Sequence, residues 1–406
     1  MRHDHTDWLI HFVRDRLPEQ DFPGDENAFD FYAGGELPCD APAFSVLKTI
    51  IRLGGLIPGY SFRSGRTSIY GGTPAVCATE MPIYSFSDYV RRRNKPGAVS
   101  AYGLAFLKSE FYAAGGRPVI YGLSCKNVKY EVNTPAIRIL DEAVLPKQEQ
   151  FRYVAYNPAG ERWVDWSHER EWRWIVQNED NDSVWCQDAN GAIGPTPGLP
   201  LFTGPENDGA FTKLCIIVWN EKEAQEIQEL LTGFYFAGCN NYSTPFSRRL
   251  IEASSIILLD KVISAVEAGV DLDSQTIEGL KKENLCEPII ITTAEIGTDT
   301  KINLALEKAI AAGVEAAQEF IKKGDIERGA CGFVHASTNE ITNPIVQYML
   351  KNGLAAGPYD GNIRLNIESK WPQSQSIDYK EYVFTAVCES LTAELGVPFY
   401  IDSRLD

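Results

Sequence analysis

The sequence lacks the features that mark several large functional classes. It has no run of about 18 apolar residues, the length a helix needs to cross a bilayer, so no membrane partner is expected. Its first residues, MRHDHTDWLIHFVRDR, are charged and carry no apolar h-region, which reads as a cytoplasmic protein without a secretory leader. No CxxC pair occurs among its nine cysteines, and most of them sit in apolar runs such as LCIIV. Buried, reduced thiols are the expectation, with no metal site. There is no P-loop and no GxGxxG, so neither a Walker nor a Rossmann nucleotide site is supported. Positive charge is scarce: 38 Lys and Arg stand against 55 Asp and Glu, a formal net charge of −17. That balance argues against a protein that coats nucleic acid non-specifically, which takes a broad basic surface to displace counterions. It leaves room for a local basic groove. Internal repeats and low-complexity tracts are absent too.

What is present is ordinary globular material. Hydrophobic residues make up 44% and charged residues 23% of 406 residues, enough for two or three domains of roughly 100–200 residues each. The periodicities predict a mixed α/β (α+β) protein. Trp8 to Val13 reads as a buried strand, Phe44 to Arg52 as a helix stopped by Gly54-Gly55, and Ala75 to Thr79 as a central strand. Ser85 to Arg93 reads as a helix with Ser85 or Ser87 as its N-cap. Further strands are expected in 101–108, 118–123, 171–176 and 211–219, followed by an amphipathic helix from Glu221 to Leu231. The Gly-, Asn-, Ser- and Pro-rich stretch 232–250 suggests a boundary, giving domains 1–245 and 250–406, with a helix over 250–268 that connects them or opens the second. The C-terminal part reads as a smaller α/β sandwich. Its helices span 303–323, a segment opened by Asn343-Pro344, and 378–395, and its strands span 329–336, 363–367 and 398–401.

The densest chemical signal is the segment Trp166-Ser167-His168-Glu169-Arg170-Glu171-Trp172-Arg173-Trp174. Strand alternation puts Glu171, Arg173 and Ile175 on one face and Trp172, Trp174 and Val176 on the other. A carboxylate on such a strand is either paired with arginine or held for function. His11 within WLIHFV is either a satisfied core histidine or a ligand-contacting group. The loop GYSFRSGRTSIYGG is either a surface loop or a phosphate cradle with Arg63 and Arg66 as donors. Arg91, Arg92 and Arg93 with Lys95 form the one compact basic cluster, either a solvated face or the place where an anionic partner docks.

In this order, the segments LIHFV, FSVLKTIIRLGGL, AVCATEMPIYSFSDY, AYGLAFLKSEFYAAGGRPVIY and WSHEREWRW resemble the AbiGi family of abortive phage infection proteins. More distantly, the same layout resembles DarT-type ADP-ribosyltransferases, which open on a histidine-bearing strand and finish on a late-strand glutamate. The segments GACGFVHAST, SIDYKEYVFTA and FYIDSRLD resemble a domain of unknown function found behind AbiGi-like regions. The resemblance implies an ADP-ribosyltransferase-like split β-sheet domain acting on NAD. His11 would contact the nicotinamide ribose, Tyr89 or Tyr102 would stack on nicotinamide, and Glu171 would be the catalytic carboxylate. It further implies an antiphage effector with a nucleic-acid or translation-related acceptor, and a phage protein or cognate defence partner read by the C-terminal domain. Two other functions fit the residues: a catalytically inactive relative serving as antitoxin or sensor, and a metal-dependent nuclease built on Glu80, Glu169 and Glu171.

Overall fold

A computed structural model of the chain describes all residues except 1–5, 18–35, 39, 61, 64–65, 94–99, 124–129, 134–136, 160–163, 179–180, 189, 204–208, 270–276, 283–284, 293–296 and 325. The chain divides into two units, one made of Met1–Gln225 and Ser247–Ile289 and the other of Glu226–Phe246 and Ile290–Asp406.

The first unit is organised by an eight-stranded mixed sheet. Its strands are β1 (Trp8–Val13), β2 (Val76–Thr79), β3 (Tyr102–Leu107), β4 (Arg117–Pro118), β5 (Glu171–Trp174), β6 (Leu214–Val218), β7 (Ser255–Leu258) and β8 (Cys286–Pro288), in the order β8-β7-β6-β3-β1-β2-β5-β4. The apolar runs explain the centre: β6 and β7 are buried at every position, as strands covered on both faces must be. Ile10, Ala105, Ile217, Leu259 and Val262 share one core with Phe86 and Val90 of helix α2 (Ile83–Arg93). Helix α1 (Ala43–Leu53) buries Leu47, Ile51 and Leu53, and Asp15 accepts the Ala43 amide at 2.8 Å at its start. It ends as expected at Gly54, which is left-handed at φ 78°. A Cβ there would sit 2.3 Å from Thr203 Cγ2, so only glycine fits.

Several expectations need correction. The span 250–268 is not one helix: helix Arg248–Ala253 is followed by β7 and then by helix α3 (Leu259–Glu267). β7 pairs in parallel with β6 from Cys215↔Ser255 to Val218↔Leu258, so residues 247–289 group with the first unit rather than with the C-terminal one. Neither Ser85 nor Ser87 caps α2, which begins at Ile83; the Ser87 hydroxyl instead donates to the Tyr84 carbonyl at 2.7 Å. Four of the seven described cysteines are buried, Cys77 and Cys239 are half-buried, and Cys331 is exposed.

The second unit carries a four-stranded antiparallel sheet of β9 (Gly332–Thr338), β10 (Ala355–Tyr359), β11 (Asn362–Leu365) and β12 (Tyr400–Leu405), ordered β10-β11-β9-β12. Helices α4 (Thr298–Lys323), α5 (Pro344–Lys351) and α6 (Ile377–Leu395) complete it. Asn343 caps α5 through the Ile345 amide with proline in the first turn, and Ser376 caps α6. α4 buries Ala305, Ala309, Gly313, Ala316 and Ala317, a small-residue stripe that admits Trp371 and Val387 closely. Among the described residues no helix is long and apolar enough to cross a membrane.

Candidate functional site

The site is built where β1 and β2 part. β1 runs a full ladder with β3, from Trp8↔Leu107 to Val13↔Tyr102. On its other side it meets β2 at Ile10↔Thr79. There the His11 ring takes over, with Nδ1 2.8 Å from the Cys77 carbonyl oxygen. A carbonyl only accepts, so Nδ1 carries the proton and Nε2 of the neutral ring keeps its lone pair. Burial pushes the His11 pKa below its ordinary value, which holds the ring neutral at pH 7. His11 therefore offers a ligand an acceptor, not the donor that positioning a ribose by a charged histidine would require.

β5 completes the other wall. It pairs with β2 from Glu171↔Thr79 to Trp174↔Val76. The alternation read from the sequence holds. Trp174 is fully buried with Nε1 donating to the Ala114 carbonyl at 2.8 Å, and Trp172 donates to Glu80 at 3.0 Å. On the opposite face Arg173 is 4% exposed and Glu171 14%. Arg173 Nε donates to Glu171 Oε1 at 2.8 Å and Nη2 to Oε2 at 3.2 Å, while Nη1 reaches the carbonyls of Phe151 at 2.6 Å and Tyr153 at 3.3 Å. Burial works against the charge on Arg173, and the acidic groups around it, Glu171 foremost, together outweigh it. Burial first, and then the charge of the Glu171 carboxylate, push the Cys77 thiol's pKa up and keep it protonated. The Glu171 amide donates to the Tyr121 hydroxyl at 2.9 Å, and burial pushes that phenol up to about 12.

These elements enclose a cleft of about 850 Å³ lined by His11, Arg66, Tyr89, Glu169 and Glu171, with Val46, Ile50 and Leu53 of α1 along its apolar side. A cleft of this size suits a cofactor-sized ligand. His11 and Glu171, far apart in sequence, thus share one cavity, and the sequence-derived Arg66 and Tyr89 join them. Tyr102 does not: it leans on Phe44 with ring centroids 5.5 Å apart and donates to Glu223 at 2.8 Å. The side chains of Arg63 and Arg93, and all of Lys95, lie outside the described residues. Arg91 pairs with Asp88 and Glu267 at 2.8 Å each, and Arg92 with Asp88 at 2.8 Å, so acids on the same surface offset this cluster's charge.

Other cleft residues escaped the sequence reading. Arg14, Arg16 and Arg138 line it, and Arg138 sits 4.3 Å from the centroid of the Tyr70 ring. Nothing in the local patterns around these arginines marks them, because the cleft forms only when distant segments meet. Glu169 is held by Tyr89, whose hydroxyl donates to Oε1 at 2.6 Å, and its carbonyl accepts from Thr79 Oγ1. Between the two glutamates the backbone turns through Arg170, which is left-handed at φ 45°. Arg170 lines a second cavity of about 250 Å³ with Tyr84, Tyr89 and His168. Tyr89 borders both cavities. Glu80 turns away from Glu169 and Glu171, bonding to Lys108 at 2.9 Å and to Trp172, so the three carboxylates are not gathered; no trio of described His, Cys, Asp or Glu residues is placed to hold a metal ion. No protein-family model, no curated protein and no solved structure matches the chain.

Proposed function

We propose that the first unit is an ADP-ribosyltransferase-like split-sheet domain that transfers ADP-ribose from NAD to a nucleic-acid or translation-related acceptor, as an antiphage effector. The observation that carries this reading is the shared cleft of His11 and Glu171, with Tyr89 beside them and Arg66 among its cations. Each group suits one demand of the chemistry. Breaking the bond between ribose and nicotinamide builds up oxocarbenium character, which a fixed carboxylate at Glu171 stabilises. Arg173 fixes that carboxylate in advance from two nitrogens, so little reorganisation remains. His11 Nε2 accepts a ribose hydroxyl, and Arg66 and Arg138 answer the diphosphate. Glu169, at the border with the second cavity, is positioned to take the acceptor's proton. The acceptor approaches through that second cavity, past Arg170 and His168.

One observation favours the inactive, antitoxin-like alternative: both Glu171 oxygens are already engaged by a buried guanidinium. Labelled NAD separates the two readings. The transferase consumes NAD and labels an acceptor, and Glu171→Gln abolishes both; the inactive relative binds NAD or nothing and consumes none.

A further inference from the structure

The second unit presents a sheet face of unusual composition. β9 sends Gly332, Val334, Ala336 and Thr338 to one side, where Gly332 abuts Ile377 of α6, so Phe333, His335 and Ser337 point the other way. The ladders place Arg404 opposite Phe333, Asp402 opposite His335, and both Tyr400 and Arg364 opposite Ser337. Three large aromatics on this unit stand open to solvent: Phe333 is 43%, Tyr359 39% and Tyr400 36% exposed. Cations flank two of them. Arg404 lies 5.2 Å and Lys380 5.8 Å from the Phe333 ring centroid, and Arg364 lies 5.0 Å from that of Tyr359. Between Phe333 and Tyr400 the face is polar. Arg364 donates to Asp402 at 2.7 Å, the Tyr400 hydroxyl donates to Asn362 at 2.8 Å, and the buried Ser337 hydroxyl has no hydrogen-bond partner.

We propose that this face of the β9–β12 sheet binds single-stranded RNA, with bases stacking on Phe333 and Tyr400, phosphates meeting Arg404, Arg364 and Lys380, and ribose hydroxyls meeting the polar groups between. An exposed aromatic on a sheet presents a π-face to any unstacked base, and arginines beside it track the backbone. In a chain of net charge −17, Arg404, Arg364 and Lys380 around these aromatics, set against Asp402 and the nearby Glu340, make a local site for a polyanion. The polar groups select RNA: Asp402 and Asn362 offer acceptor oxygens that a 2′-hydroxyl uses and deoxyribose does not. A duplex keeps its bases stacked internally and gains nothing from the aromatics. The inference is independent of the chemistry proposed for the first unit.

The test is fluorescence anisotropy of the full chain with a labelled single-stranded RNA of about ten nucleotides, a length within the range of single-strand sites. Binding is expected to weaken with salt. Phe333→Ala and Tyr400→Ala are each expected to weaken it roughly 5- to 150-fold, the worth of one stacked base, and Phe333→Trp to retain it. Phe333 and Tyr400 are partly packed, so the melting temperature of each alanine variant is measured and binding is compared below it; Arg404→Glu is an additional variant that leaves both aromatics in place and should also weaken binding. Absence of binding at low salt, equal binding by the parent and both alanine variants, or equal affinity for DNA or duplex RNA of the same sequence would each overturn the proposal.

Discussion

Arg173 grips Glu171 from two nitrogens, Nε at 2.8 Å and Nη2 at 3.2 Å, at the wall of the cleft that also holds His11. Arg173 keeps two carbonyl partners, those of Phe151 and Tyr153, whatever happens to Glu171. Glu171→Gln leaves the buried guanidinium those carbonyls but no counter-charge, so it should lose stability, by about 3 kcal/mol, while transfer per folded molecule falls by roughly 10²–10³, the usual worth of one electrostatic group in a transition state. Arg173→Met should lose about 3–5 kcal/mol of stability, because a half-buried carboxylate is left without its partner. Thermal melting paired with NAD consumption checks both. A Gln variant that still consumes NAD at the parent rate removes Glu171 from the chemistry.

His11 makes a pH prediction with a definite sign. Its folded pKa lies below the ordinary value, while in the unfolded chain an imidazole titrates near its ordinary value of about 6.5. As pH falls below about 6.5, the unfolded state takes up a proton that the folded state refuses, so stability drops on the acid side. His11→Asn keeps a donor for the Cys77 carbonyl and removes this titration. Its melting temperature should fall less between pH 7 and 5 than the parent's, and its NAD turnover should be lost at every pH. His335, also lowered by burial, adds a second slope of the same sign, and His335→Gln measured in parallel separates the two.

The Tyr89 hydroxyl and its ring should prove separable. The hydroxyl holds Glu169 at 2.6 Å, a bond to a charged group worth about 1.5–3 kcal/mol. Tyr89→Phe should lower kcat about tenfold or more with KM for NAD little changed, since the ring remains. Tyr89→Ala should raise KM as well. Equal kinetics for Phe and Ala variants would show that the ring touches no substrate.

Arg170 and the Arg91–Arg93 cluster divide the acceptor question. Arg170→Asn keeps the left-handed turn, which asparagine tolerates, and removes the guanidinium from the second cavity. It should reduce acceptor labelling more than NAD hydrolysis measured without acceptor. Arg91 and Arg92 already face Asp88 and Glu267, so replacing Arg91, Arg92 and Arg93 by glutamate should affect labelling less than Arg170→Asn does, and the effect should fade with salt. The reverse ranking would move the acceptor from the second cavity to the basic cluster.

The legible parts of this molecule were those with a local physical signature. Alternation in EWRW placed Glu171 with Arg173 and separated both from Trp172 and Trp174, as the structure shows. Gly54 ended α1 and Asn343-Pro344 opened α5 because caps are written in one or two residues. β7 was not legible: SIIL, four buried residues between two amphipathic helices, continues an apolar pattern that reads as one helix. β10, with the sequence AAGPY, carries the glycine and proline that usually mark a loop. In the cleft, His11 and Glu171 stood out through their motifs. Arg138, the Tyr89–Glu169 bond and the displacement of Tyr102 toward Glu223 depend on contacts more than 65 residues apart in sequence.

The most direct test of the central claim is calorimetric titration of NAD into the parent chain and into His11→Asn. Ligand in the cleft between His11 and Glu171 predicts saturable one-to-one binding by the parent, and its loss in a His11→Asn protein that melts like the parent at pH 7. No saturable binding by the parent, or the same binding in the His11→Asn variant, would contradict the account.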